Sequence, residues 1–438
     1  MTTPDRSALL TQGAALPLTQ APASGHVVVV NDQQTFQQFL GVGASLTGAS
    51  AALLSGLAPG ARDALLHQLF TGGQGIGLGV LRQPIGANDF STGNFSYDQL
   101  PPGSSDPSLA RFSLAPDERT ILPLLRQIRG INPALTVVAS PWSAPGWMKT
   151  SGSLIGGTLD PRWQDAYAHY LVRFLQGYAS RGVPVAGLTV ANEPTFSPPG
   201  YAGMTLSVDQ QRSLIDDHLA PALAAAGVST KVYALDDNFD RLGDALALLD
   251  NPVTRGHVAG VAFHCYRGDP SAVLQLREAH PHVAVGVSEC SGGSFSGSFG
   301  DALRGDVQRL LIEAVRGGAS WITKWNLALD PQGGPTNGGC TTCRGLVTID
   351  PATHAVSFNE EYYALGQVGR FVRPGAVVVA STTFGAGNIQ TVAFRNPDGG
   401  HVLLAFNSAG DSRTFAVSSA GRSFSYQLPA GAVATFTW

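Results

Sequence analysis

Along the chain, short runs of apolar and β-branched residues alternate with longer stretches whose apolar positions recur at helical spacing. The runs predict strands over Gly41–Leu46, Leu78–Ile85, Leu135–Pro141, Val185–Asn192, Lys231–Asp236, Val258–Tyr266, Val283–Glu289 and Trp321–Leu327. Between them, Pro116–Arg129, Pro161–Arg181, Val208–Ala226 and Asp301–Gly317 read as amphipathic helices. Eight strand–helix units over about 320 residues match an α/β chain folded as a (β/α)8 TIM barrel with long loops. A doubly wound sheet is the competitor, but its phosphate turn must lie between a strand and a helix. The glycine-rich run Gly72–Gly79 leads into a strand instead.

Beyond a helical stretch at Phe358–Phe371 the period changes. From Ala376 to Trp438 apolar and polar residues alternate between turns, and Asn396–Gly400 is a strong hairpin signal. The run Gly25–Val30 has the same β character. The expected organisation is N-terminal strands over residues 1–36, a catalytic barrel over 37–368 and a side antiparallel β-sandwich over 369–438, which the N-terminal strands join.

Composition narrows the function. The chain has 438 residues, of which 44% are hydrophobic and 13% charged, which excludes a disordered polyelectrolyte. Net charge is −4 and no basic cluster occurs, so neither nucleic acid nor an anionic membrane is an expected partner. No apolar run is long enough for a transmembrane segment. Residues Met1–Gln20 lack the basic start and apolar core of a signal peptide.

Reacting groups in such barrels sit at the C-terminal strand ends. Two carboxylates stand there: Glu193 after strand four and Glu289 after strand seven, each closing an apolar strand where an ionised side chain is costly unless partnered. A strand-capping or arginine-paired role is the bland reading for either glutamate alone. Two at opposed strand ends point to glycoside cleavage, which needs one carboxyl group to protonate the leaving oxygen and another to attack or to activate water. Tryptophans at Trp142, Trp147 and Trp325 could stack on sugar faces, whereas Trp163 and Trp321 read as core.

With Asn192-Glu193-Pro194 at the end of a fourth strand and Glu289 on a seventh, the chain resembles the large clan of retaining glycosidases. Gly41-Val-Gly-Ala-Ser-Leu-Thr47, Leu81–Ser91, Ser140–Thr150, Ser288-Glu-Cys290 and Lys324–Pro335 are similar, in order and spacing, to glycoside hydrolase family 30, the family of glucosylceramidases and β-1,6-glucanases. The resemblance implies Glu193 as acid/base, Glu289 as nucleophile and Asn192 on the sugar 2-hydroxyl. It implies Asp89 and Trp142 on the outer hydroxyls, Tyr266 beside the nucleophile, Trp325 as pocket floor, and Arg82 keeping Glu289 ionised. Asn337 is carried over as a further substrate contact. The implied fold is a barrel with a side β-sandwich.

His264 is grouped with the substrate pocket, in a role supporting the carboxylates. Cys340-Thr-Thr-Cys343 reads as a local disulfide or two structural thiols, since no second cysteine pair completes a zinc site. Cys265 and Cys290 sit at neighbouring strand ends, and their pairing is left open. No metal and no cofactor is expected.

The leading expectation is a retaining β-glucosidic hydrolase acting as an endo-β-1,6-glucanase on oligo- or polysaccharide. A glucosylceramidase or exo-β-glucosidase acting on a glucosyl lipid is the alternative, and a non-catalytic carbohydrate-binding protein and a metal-dependent barrel hydrolase are readings from other classes. Trp147, Phe196 and Tyr201 are candidates for further sugar subsites. Because glucans and glucolipids lie outside most cells, a secreted, monomeric form is expected, its signal already removed; a cytoplasmic location is the other option.

Overall fold

The computed structural model describes every residue except Ala21. Eight parallel strands close into a barrel in chain order: Gly41–Ser45, Val80–Ile85, Thr136–Pro141, Gly187–Thr189, Lys231–Asn238, Gly260–His264, Ala284–Glu289 and Ala319–Lys324, the last pairing back onto the first. Each is flanked by hydrophobic helices and is buried on both faces, the burial that parallel sheets require. The fold is the expected TIM barrel.

The expected strand at Val185–Asn192 shrinks to Gly187–Thr189, because the chain past Thr189 leaves the ladder to form the loop carrying Asn192 and Glu193. Helical stretches also depart from even periodicity. Pro116–Arg129 divides into Ala115–Glu118 and Ile121–Ile131, while Val208–Ala226 widens into a π-helical turn at Leu214–Leu219, just before Pro221 removes a backbone donor.

A second sheet follows the barrel. Val377–Ser381, Ile389–Arg395, His401–Asn407, Arg413–Ser419, Arg422–Leu428 and Val433–Thr437 combine with an N-terminal strand, Val27–Gln38. That strand inserts between Arg413–Ser419 and Val377–Ser381, running antiparallel to the second but parallel to the first. The side domain is thus not wholly antiparallel, because its central strand comes from the far end of the chain. The two ends of the sheet fold over one another: Phe415, Phe424 and Tyr426 pack on Phe436 with ring centroids 5.1–6.1 Å apart. This closure makes the sandwich and buries a small core of its own around Val28, Leu403 and Phe415.

Inside the barrel, Trp321 fills the lower layer with Val80, Val138, Tyr233 and Ala262. Its indole lies directly over Gly286, where an added Cβ would come within 2.0 Å of the ring. Gly286→Ala therefore overpacks the layer and should destabilise the protein by about 1–3 kcal/mol. Urea unfolding measures this; an unchanged midpoint would contradict the packing.

Candidate active site

The C-terminal mouth of the barrel is organised around a carboxylate at its centre. Asp236, fully buried on strand five, accepts from Arg82 Nη2 (2.8 Å, strand two), Thr189 Oγ1 (2.7 Å, strand four), Ser288 Oγ (2.6 Å, strand seven) and Ser140 Oγ (strand three), and lies 3.1 Å from His264 Nε2 (strand six). Burial would raise this carboxyl, but Arg82 and His264 overcome that and hold it well below the carboxylate range.

Two β-bulges create the arrangement. Leu235 pairs with Ala262 and Asp237 with Phe263, so Asp236 is an extra residue in its strand. Phe263 pairs with Val287 and His264 with Glu289, so Ser288 is an extra residue in the next. A bulge re-aims its extra side chain, and here both extra side chains meet in the middle of the barrel. Leu235 and Asp236 take positive φ of 71° and 61°, and Glu193 takes 41°, a strained setting for residues with a Cβ.

Arg82, 1% exposed, donates Nη1 to Glu289 Oε2 and Nη2 to Asn192 Oδ1 at 2.8 Å as well as to Asp236. Tyr266 donates its hydroxyl to the other Glu289 oxygen at 2.8 Å. His264 Nδ1 lies 3.2 Å from Glu193 Oε1 and 3.8 Å from Glu289 Oε1. Burial disfavours a charged imidazole, yet Glu289, Asp236 and Glu193 outweigh it and push its pKa up to about 10. Glu193, His264 and Glu289 thus converge, one ligand atom of each lying within 4.8 Å of the others.

Burial also raises Glu289, with His264 and Arg82 acting in the opposite direction. A guanidinium on one oxygen and a phenol donor on the other favour the ionised form.

On one side the aromatic wall closes the pocket. Trp142 and Trp325 stack at 4.9 Å, and the Arg82 guanidinium lies 4.8 Å from the Trp142 ring. Asp89, behind them, accepts from Trp325 Nε1 at 3.4 Å while its other oxygen is buried without a protein partner. Burial, then the Glu289 charge, push the Asp89 carboxyl up to about 8.

This geometry has relatives. Residues 39–372 match the glycosyl hydrolase family 30 TIM-barrel domain, and residues 375–436 the same family's beta sandwich domain. The chain belongs to glycosyl hydrolase family 30. It is a glycoside hydrolase. It is 32% identical to the endo-1,6-beta-D-glucanase BGN16.3 of Trichoderma harzianum over 91% of this chain and 84% of that one. It is 30% identical to the lysosomal acid glucosylceramidase of Mus musculus, over 95% and 84%. Among solved structures, the endo-beta1,6-glucanase BT3312 superposes with TM-score 0.92 at 28% identity, covering 100% of this chain and 98% of that one.

Within this family 30 site, Glu193, Glu289, Asn192, Arg82 and Tyr266 come together as the motifs suggested, with Asp89, Trp142 and Trp325 along one wall. His264 does not reach the pocket surface: it is wholly buried between Asp236 and the two glutamates, so it is a support behind them and not a substrate contact. Asn337 sits one layer out, its amide donating to Asn88 O, Ser91 Oγ and Asn94 Oδ1 and its backbone N–H to Asp89 O; it holds the Asp89 loop in place. Trp147 also turns away, its N–H given to Asp98 and its ring to Trp163.

Asp236 was not among the residues read from the sequence. The polar triplet Asp236-Asp237-Asn238 at the end of an apolar strand was its signal. Asp237 accepts from Thr195 Oγ1 at 2.6 Å and steadies the loop after Glu193. Lys149 was missed too: its buried ammonium bonds Ser143 Oγ, Leu154 O and Gly203 O, joining the loop after Trp142 to that around Tyr201. All four cysteines are paired, Cys340 with Cys343 and Cys265 with Cys290.

Asp236 is the element whose removal should disorganise the rest. In Asp236→Asn the largest stabilising partners of the charged imidazole shrink to Glu289 and Glu193, and the His264 pKa should fall from about 10 toward its ordinary value. His264 favours the folded state in its charged form, so that contribution is complete below the ordinary histidine pKa of about 6.5. It fades as pH rises toward 10. Histidine NMR titration of wild type and variant checks this; equal His264 pKa values would refute the role of Asp236.

Proposed function

We propose that this glycoside hydrolase cleaves β-1,6-glucosidic bonds within glucan chains, with retention of configuration, by double displacement. The observation that carries the mechanism is the closeness of the two catalytic candidates, with an oxygen of Glu193 and one of Glu289 within 4.8 Å. Inverting enzymes need about 6.5–9.5 Å to seat a water between their carboxyl groups, and retaining ones about 5–5.5 Å.

In this reading Glu289 is the nucleophile. Arg82 and Tyr266 each hold one of its oxygens, fixing the carboxylate plane toward the anomeric carbon. Glu193 protonates the departing glycosidic oxygen, then takes a proton from the water that releases the glycosyl-enzyme. Its oxygen stays beside the protonated His264, which is itself anchored to Asp236. Asn192 accepts from Arg82 at its carbonyl oxygen and so turns its NH2 group toward the sugar 2-hydroxyl, a contact that strengthens as the oxocarbenium character grows. Asp89, Trp142 and Trp325 form the wall for the outer hydroxyls, with Asp89 neutral at pH 7 and able to donate.

Substrate choice is supported by the relatives and by the mouth. Endo-1,6-glucanases resemble the chain over about nine-tenths of its length. Around the carboxylates the large exposed apolar side chains are the aromatic Phe196, Tyr266 and Phe295, which suit sugar faces. A lipid aglycone would call for an aliphatic surface there. Two disulfides with no free cysteine among the described residues fit an oxidising, extracellular setting; no helix among them is long and apolar enough to cross a membrane.

Hydrolysis of β-1,6-glucan, glucosylceramide and an aryl β-glucoside by wild type and Glu289→Gln tests the proposal. The wild type should release oligosaccharides from the glucan, and the variant none. Turnover of the ceramide without the glucan would overturn the substrate, and wild-type activity in Glu289→Gln the nucleophile.

Glu193→Gln should lose about 10²–10⁴-fold on the glucan but still form the glycosyl-enzyme from a dinitrophenyl glucoside, giving a burst of phenol. Absence of both burst and turnover would contradict the acid/base role.

With Asp89 protonated below about pH 8, its ionisation brings a second negative charge near Glu289. The value of kcat/KM should fall as pH rises through 8, and Asp89→Asn should flatten that limb. A limb unaltered in the variant would rule out Asp89 as its source.

A further inference from the structure

We propose that the Cys265–Cys290 disulfide positions the catalytic machinery, clamping the nucleophile and its tyrosine partner in register. This rests on the reading of Glu289 and Tyr266 given above. The two cysteines are interleaved with the site: Cys265 lies between His264 and Tyr266, and Cys290 directly follows Glu289.

The need for a clamp follows from the ladder. Strands six and seven pair regularly up to Phe263 and Val287, then the extra residue Ser288 breaks the register before His264 meets Glu289. A bulge bends its strand and increases local twist, so the two ends would diverge just where three site residues leave them. Past the bulge, His264 still pairs with Glu289 and a Cys265 N–H to Glu289 O bond of 3.2 Å closes that pair. The disulfide closes the next step covalently. Tyr266 depends on it most: the residue is 41% exposed, its hydroxyl bonds Glu289 and Ser291, and its backbone N–H donates to Asn238 Oδ1 at 3.0 Å.

The disulfide is also reachable. Both cysteines line a cavity of about 410 Å³ that opens beside Tyr266, Ser291 and Phe295, and Cys265 is itself half-buried. A dithiol reductant can therefore enter, exchange with the bond, and leave two protein thiols and its own cyclic disulfide. Freed, the strand ends can separate, and Tyr266 can withdraw from Glu289 without loss of the barrel. The other disulfide, Cys340–Cys343, spans three residues in the loop after strand eight and packs near Trp142 and Trp325, so its own double variant is needed to separate its reduction from that of Cys265–Cys290.

The experiment compares wild type, Cys265→Ser/Cys290→Ser, Cys340→Ser/Cys343→Ser and Glu289→Gln on an aryl β-glucoside, with and without dithiothreitol. Reduction should lower the wild-type kcat about 10–100-fold, the loss expected from a misplacement near 1 Å, with KM little changed and activity restored on reoxidation. Cys340→Ser/Cys343→Ser should keep that sensitivity. Cys265→Ser/Cys290→Ser should start low and be insensitive. Near-UV circular dichroism verifies that the reduced wild type stays folded, which covers the case of a double variant that does not fold. Reduction of the 265–290 bond, verified by thiol labelling, with kcat unchanged would overturn the clamp while leaving the mechanism intact. Full activity in Glu289→Gln would overturn the mechanistic reading on which it rests.

Discussion

The buried Arg82–Asp236 pair is the constraint on which the mouth of this barrel depends. Taking both charges out of water costs several kcal/mol per ion, and an ion pair repays that only when its remaining hydrogen-bonding capacity is filled. Here all of it but the buried Arg82 Nε is filled: strands two to seven each supply a donor or acceptor to one of the two residues. The pair therefore acts as a tie at the centre of the ring. It also sets the electrostatics, since an anchored guanidinium and an anchored imidazolium permit two glutamates to approach within a few ångströms.

Backbone irregularity supplies the geometry that regular strands could not. Parallel strands of a closed barrel alternate side chains inward and outward, so consecutive residues cannot both face the axis. One extra residue on strand five and one on strand seven break that rule locally and turn Asp236 and Ser288 inward together with their neighbours. Positive φ at Leu235, Asp236 and Glu193 is the accompanying strain. It is tolerable because the network's hydrogen bonds hold Asp236 and Glu193 and the packed core holds Leu235.

The strand–helix rhythm and the two strand-end glutamates were legible in the sequence because burial on both faces and a charge closing an apolar run are local signals. Arg82, Asn192, Asp89, Tyr266 and the two pocket tryptophans were legible through ordered motifs. Asp236 was not, because the polar triplet it opens, Asp236-Asp237-Asn238, reads like any turn-forming strand end and nothing in a two-residue alternation announces a bulge. Whether a strand-end ring such as His264 faces the pocket or the carboxylates behind it depends on the local register, which the sequence alone does not show. The partnership of Cys265 with Cys290 depends on the same register, and was open until the strands were in place. Trp147 and Asn337 lie on loops whose packing the sequence does not encode in any short period, so their side chains turned out to serve Asp98 and the Asp89 loop.

The two kinds of wall around the site explain how one chemistry can serve relatives with different substrates. Glu289, its Arg82 guanidinium and the Trp142–Trp325 stack are buried and bonded on rigid strand ends, so substitutions there would disturb several partners at once. Phe196 and Phe295, by contrast, are 45% and 58% exposed on loops that follow the two glutamates. A change at either position leaves the ion-pair network untouched and alters only the surface offered to what lies beyond the bond. The ion-paired interior of the barrel is thus fixed by many mutual contacts, while the exposed rim can vary at little cost in stability.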